Sequence, residues 1–192
     1  VQDVSIYSGL TETNLEGDMN IIGVDASQDE HRMLMSADFG QIPLNPSMNV
    51  HSVSLAMHLE DFNFGAGATG MTFTVHRVIT TGWSETTATW NGTGAALWAA
   101  PGMQAGVDYD STPIDEFFMS NLQPIDTTIH FNLGHRMMYI DGVHSWVIIG
   151  TPSQGWMEVE FADNSEETLS KRPLLLMNYT CLLYTSDAAD EE

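Results

Sequence analysis

Basic residues are nearly absent from this chain: Arg32, Arg77, Arg136, Lys171 and Arg172 stand against 26 acids, a formal net charge of −21. Phosphate backbones are held by clustered Lys and Arg, and only Lys171 and Arg172 are neighbours, so nucleic acid is excluded as a partner class. An anionic membrane surface is disfavoured for the same reason. Low lysine with an acidic surface suits salty water, where screening weakens self-repulsion. Cysteine occurs once, at Cys181, so no internal disulfide can form. No apolar run approaches the roughly 20 residues of a membrane helix, and membrane insertion is not expected. A basic-then-apolar signal peptide is missing as well, although the chain opens on Val1 rather than methionine.

Enzyme signatures are equally scarce. Seven histidines are present, yet none stands in His-Glu-x-x-His spacing or in a Cys/His zinc set. There is no Gly-x-Ser-x-Gly elbow and no phosphate-cradling glycine loop. Carboxylates are plentiful enough that pairs follow from numbers alone, so they do not single out a glycosidase dyad. The chain is expected not to be an enzyme.

What is present is an alternation of short apolar segments and turns. A length of 192 residues suits one domain. Val4–Tyr7, Met19–Val24 and Arg32–Phe39 read as strands, and Pro43 and Pro46 end the third because proline cannot donate to a ladder. Val53, Leu55, Met57 and Leu59 alternate with Ser54, Ala56, His58 and Glu60, the pattern of a half-buried strand. Met71, Phe73 and Val75 alternate in the same way after a glycine-rich link, which predicts a hairpin between the two. Gly92–Asp126 is irregular, with a short helix expected over Asp115–Leu122. Ile129–Leu133, Trp146–Ile149, Trp156–Phe161 and Lys171–Thr180 complete the strands. Many short strands with frequent turns predict an all-β jelly-roll β-sandwich of antiparallel strands with long loops.

Thr81–Asn91 (TGWSETTATWN) is unusual, because two tryptophans seven apart in a threonine-rich turn each need burial. Trp83, Glu85, Thr89, Trp90 and Asn91 follow the order W-x-E-x-x-x-T-W-N. Arg32–Pro43 (RMLMSADFGQIP) and Arg172–Tyr179 (RPLLLMNY) add two further elements in the same order along the chain. Together they resemble the DNRLRE-repeat domain, the jelly-roll group that includes carbohydrate-binding module family 96. The resemblance covers nearly all of residues 3–180. It departs from the family at Ala37, where a large aromatic is usual, and in Gly92–Ala100, which lacks the proline that often follows the Trp-Asn pair. It implies a polysaccharide-binding domain, with Trp83, Trp90, Glu85, Arg32 and Arg172 as framework residues. Acidic polysaccharides such as alginate are the implied ligand class. The net charge opposes a polyanion unless calcium bridges or Lys171 and Arg172 gather locally, and a neutral glycan fits at least as well.

The residues suggest further candidates. Trp98 and Tyr109, in the irregular region, are expected as stacking platforms for sugar rings, with Arg77 supplying polar contacts. His58 and His76 share one parity on strands predicted to pair, which offers a ligand or metal site against the plainer reading of two solvated histidines. Asp108, Asp110, Asp115 and Glu116 gather the hard oxygens that calcium prefers, without EF-hand spacing, against the plainer reading of a solvated acidic loop.

Cys181–Glu191 (CLLYTSDAADE) resembles a translated sequencing-library adapter, so residues 181–192 are expected to be an appended or disordered tail on a domain spanning 1–180. With both ends read as cut, the expectation is a non-catalytic polysaccharide-binding module tethered to other domains of a secreted or surface protein. A structural or adhesive repeat of a cell-surface or virion protein is the alternative.

Overall fold

The computed structural model describes residues 2–17, 19–41, 48–134 and 142–181. Ten strands follow one another among the described residues: β1 (Gln2–Tyr7), β2 (Asn20–Val24), β3 (Glu30–Asp38), β4 (Met48–Phe64), β5 (Gly70–Arg77), β6 (Asp115–Ser120), β7 (Thr127–Asn132), β8 (Val143–Pro152), β9 (Met157–Phe161) and β10 (Leu174–Cys181). Every pairing is antiparallel. The fold is an all-β jelly-roll sandwich made from one sheet curled upon itself, in the order β10-β4-β9-β2-β3-β8-β5-β6, with β1 on β3 and β7 on β4.

The period-two pattern of β4 explains how the curl is held. Val53, Leu55, Met57 and Leu59 are fully or almost fully buried, and the 17-residue strand pairs with β10 and β7 along its first part and β9 along its last. Facing it across the core is the layer β1-β3-β8-β5-β6. Phe73 on β5 meets Phe131 on β7 and Phe161 on β9 edge to face, at ring separations of 5.7 and 6.2 Å. These strands share no ladder, so the contacts cross between layers and form the main core.

The predicted hairpin between the fourth and fifth strands is therefore wrong. β4 pairs with β10, β7 and β9, and β5 pairs with β6 and β8. A half-buried strand shows the same alternation whether its successor lies beside it or opposite it, and residues 65–69 arch between layers. The helix expected over Asp115–Leu122 is β6 instead. Its inward positions Asp115, Phe117 and Met119 alternate with Glu116, Phe118 and Ser120 in register with β5. Exposed Phe118 hides that alternation in the sequence. Pro43, Pro46 and Arg136 lie outside the described residues, as does residue 182 onward, while Cys181 ends β10 opposite Met48.

A second core lies on the other side of the β1-β3-β8-β5 layer. Residues 79–114 contain no ladder beyond isolated bridges, yet they fold down over that layer. Trp83, Ala88, Trp90, Trp98, Met103 and Tyr109 pack there against Val4, Ile6, Leu34 and Val147. This explains why β3 and β8 read as continuous apolar runs. Met33 and Met35 face one core and Leu34 the other, and Trp146 and Ile148 oppose Val147 in the same way.

Candidate functional site

The tryptophan-rich segment is built as a lid on β3. Arg32 lies over the Trp90 ring, 5.2 Å from its centroid. Its guanidinium also donates to the Gly102 and Met103 carbonyls and pairs with Glu30 at 2.7 Å. One side chain thus ties β3 to the loop through a cation–π contact and directed hydrogen bonds. Trp83 and Trp90 are buried. Glu85 accepts from the Asp3 backbone N–H at 3.3 Å and the Asn164 amide at 2.9 Å, joining three remote parts of the chain. Arg172 donates from Nε to the Glu166 carbonyl at 2.6 Å. Ala37, where the resemblance expects an aromatic, is buried opposite His144, and Phe39 and Trp146 meet edge to face nearby at 6.3 Å.

Neither expected platform offers its ring to solvent. Trp98 is 4 % exposed and Tyr109 8 %. Trp98 donates its indole N–H to the Thr89 carbonyl at 2.9 Å, and Tyr109 meets His76 edge to face at 5.0 Å. Both belong to the second core, which forms only when residues 79–114 lie down on the sheet. The irregular local sequence gives no warning of it.

The acidic stretch is also not a common ligand shell. Asp108 is buried with both oxygens committed: Oδ1 accepts from the Thr80 hydroxyl, and Oδ2 from the Ala99 and Gln104 N–H groups, at 2.8, 2.9 and 2.8 Å. It is a loop clamp. Asp115 accepts from the Asn132 N–H at 2.9 Å, Glu116 is exposed on the opposite face of β6, and Asp110 lies in the loop before it. Among the described residues, the metal-ligating set whose ligand atoms all fall within 4.8 Å is His58, Glu60 and Asp126, and the Asp108–Glu116 carboxylates form no such set.

His58 and His76 do not meet, because their strands do not pair. His76 is buried and donates from Nδ1 to the Asp110 carbonyl at 2.8 Å, with desolvation holding its imidazole below the ordinary range. His58 Nε2 lies 3.4 Å from Asp126 and 3.8 Å from Glu60. Lys171 already supplies that group with a cation, reaching Glu60 at 3.0 Å and Asp126 at 3.3 Å. Its hydrogen bond to Glu60 holds the ammonium above the usual lysine range. The basic pair Lys171 and Arg172 is thus spent on internal partners.

Among the described residues, a surface concavity opens where β5 leaves the sheet beside the start of β8. It is a cleft of about 420 Å³ lined by Arg77, Val78, Ile79, Thr81, Asp110, Val143, His144 and Ser145. The walls are tied together, since Val78 N–H donates to the Ser145 carbonyl and Asp110 N–H to the Arg77 carbonyl, each at 2.9 Å. Ile79 and Val143 are large apolar residues left 47 % and 67 % exposed at its rim. Arg77 and Asp110 are among the residues singled out from sequence. Thr81 is not, although it follows Arg77 by four residues, and neither are Val143, His144 and Ser145, which the crossing of β8 beside β5 brings in from about 65 residues away. Comparison with protein-family models and with curated proteins gave no match for this chain.

Proposed function

We propose that this domain is a non-catalytic module of a larger secreted or surface protein, holding a polysaccharide in the Arg77–Asp110–His144 cleft. The observation that carries the reading is the lining itself. A planar guanidinium and a carboxylate can bracket neighbouring hydroxyls, Thr81 and Ser145 add smaller hydroxyl partners, and Ile79 and Val143 offer apolar surface to a sugar ring. Its volume falls within the roughly 300–1,000 Å³ usual for small-ligand sites, enough for a short stretch of glycan. Asp110 is the one carboxylate in the lining, whereas glycoside hydrolysis needs two, which favours binding over cleavage. The resemblance of the Trp83–Asn91, Arg32–Pro43 and Arg172–Tyr179 elements to the DNRLRE-repeat domain points the same way. A neutral or weakly charged glycan is favoured over a polyanion, because Lys171 and Arg172 are already engaged and the chain carries a net charge of −21. Affinity electrophoresis through gels of neutral and acidic polysaccharides tests the proposal. Retardation by a neutral glycan is expected, and free migration in every gel would refute it.

The second reading, a structural or adhesive repeat, is favoured by one feature. The outer strand β10 leaves Leu174, Leu176 and Tyr179 exposed in a row, the kind of surface that buries against a neighbouring domain. Sedimentation equilibrium would reveal self-association through this strand, lost in Leu176→Lys.

A further inference from the structure

Four of the five tryptophans are buried in one core or the other. The fifth, Trp156, stands just before β9, half-buried and part of neither core. Its carbonyl accepts from the Gly65 N–H at 2.9 Å, which carries the β4–β9 pairing one step beyond Phe64 and Met157. Met157 is buried, so alternation turns Trp156 to the outer face, together with Glu158 and its cross-strand partner Asn63. There the indole covers Gly65: a Cβ at that position would stand 2.5 Å from Nε1 and 2.7 Å from Cδ1. Glycine is what lets the ring lie against the backbone. Gln154 lies beside it against Gly67, its amide carbon 3.3 Å from where a Cβ would be. Among the described residues, the indole N–H and the side-chain amides of Asn63 and Gln154 have no hydrogen-bond partner.

From this geometry we infer that Trp156, Asn63 and Gln154 form a second glycan platform, which takes neutral pyranoses with equatorial hydroxyls, the β-linked glucan class. The inference rests on the polysaccharide reading for its ligand class but not on the Arg77 cleft. That cleft lies at the far end of β5, whose first residue, Gly70, accepts from the Ser153 N–H beside the platform; eight residues of strand put the two sites roughly 23 Å apart. A pyranose with equatorial hydroxyls presents axial C–H groups on its faces, and these pack on an indole ring, removing apolar surface from water. Hydroxyls at the sugar's rim then meet planar amides that both donate and accept. The local charge selects against an acidic sugar. Glu158 borders the ring, and Asp61 faces Glu160 two residues further along the same face, so a uronate or sulfate is repelled.

Because the other four tryptophans are buried, acrylamide quenching of the full chain's fluorescence reads Trp156 selectively. Saturable protection by cellohexaose is expected, and it should persist in Arg77→Ala. Gly65→Ala keeps the indole but lifts it from the backbone, and should lose the protection. Trp156→Ala should bind hydroxyethylcellulose about tenfold more weakly than the unsubstituted protein in affinity electrophoresis. Absence of protection in the unsubstituted protein would overturn the inference, as would equal retardation of Trp156→Ala. So would protection that Arg77→Ala abolishes, a result that leaves the cleft standing alone, so the two sites fail separately.

Discussion

Replacing Asp3 by Asn should make the protein more stable at neutral pH, and the gain should depend on pH in a calculable way. Burial pushes the Asp3 carboxyl from 3.8 up to about 6, against the Asn20 hydrogen bond that lowers it and with Asp163 adding to the rise. The folded state therefore holds this proton more tightly than the unfolded state. Stability from this group is complete below the unfolded value and is lost as pH rises through the folded one. At about 1.4 kcal/mol per pH unit, ionising Asp3 in place costs on the order of 3 kcal/mol at pH 7 and almost nothing near pH 4. Asparagine keeps the shape and one acceptor for Asn20, and its amide can donate toward Asp163 or Glu85. Urea unfolding of both proteins at pH 4, 5, 6 and 7 isolates the effect, because carboxylates remote from Asp3 cancel in the difference and only Asp163 and Glu85 are coupled to it. The advantage of Asp3→Asn should grow from near zero to about 3 kcal/mol across this range. An advantage independent of pH, or a loss that deepens toward neutrality, would refute the reasoning.

Other consequences of the packing can be checked by the same unfolding measurements. Trp90→Ala removes the ring beneath Arg32 and opens the second core, and should cost about 3–5 kcal/mol. Gly102→Ala should be at least as damaging as an ordinary core change. Gly102 has a φ of +76°, and an added Cβ would stand 2.3 Å from the Trp90 ring, so the loop must shift off β3. Asp108→Ala strands the donors of Thr80, Ala99 and Gln104, and should cost about 3 kcal/mol or more. Lys171→Met should cost modestly, because the Asp126 partner it loses is exposed while the Glu60 partner is only partly so.

Much of the architecture is legible in the sequence because burial repeats at short period. Val53, Leu55, Met57 and Leu59 declare β4, and the apolar runs at Met33–Met35 and Trp146–Ile149 mark β3 and β8. The same period is silent about which strand lies beside which, so β4 and β5 read as a hairpin when they face each other across Phe73, Phe131 and Phe161. The tryptophan pair is conspicuous, and its need for burial is readable from residue size alone. The depth of Trp98 and Tyr109 is not, because what covers them is the far face of a sheet assembled from β1, β3 and β8. Candidate sites fare worse for the same reason. Arg77 and Asp110 stand out as a rare cation and a loop carboxylate, but Val143, His144 and Ser145 join them only through the β5–β8 pairing. Asp3 gives a faint local signal: it and Ser5 are polar residues alternating with Val4 and Ile6 in a strand that the fold then buries on both faces.

The central claim, glycan binding in the Arg77–Asp110–His144 cleft, is tested most directly by amide NMR of the labelled protein during titration with the oligosaccharide of whichever gel retards it. Shift changes should concentrate at Ile79, Thr81, Asp110, Val143 and Ser145, with affinity falling tenfold or more in Arg77→Ala. Shift changes confined to β10 around Leu174 and Leu176, or an affinity unaltered by Arg77→Ala, would contradict it.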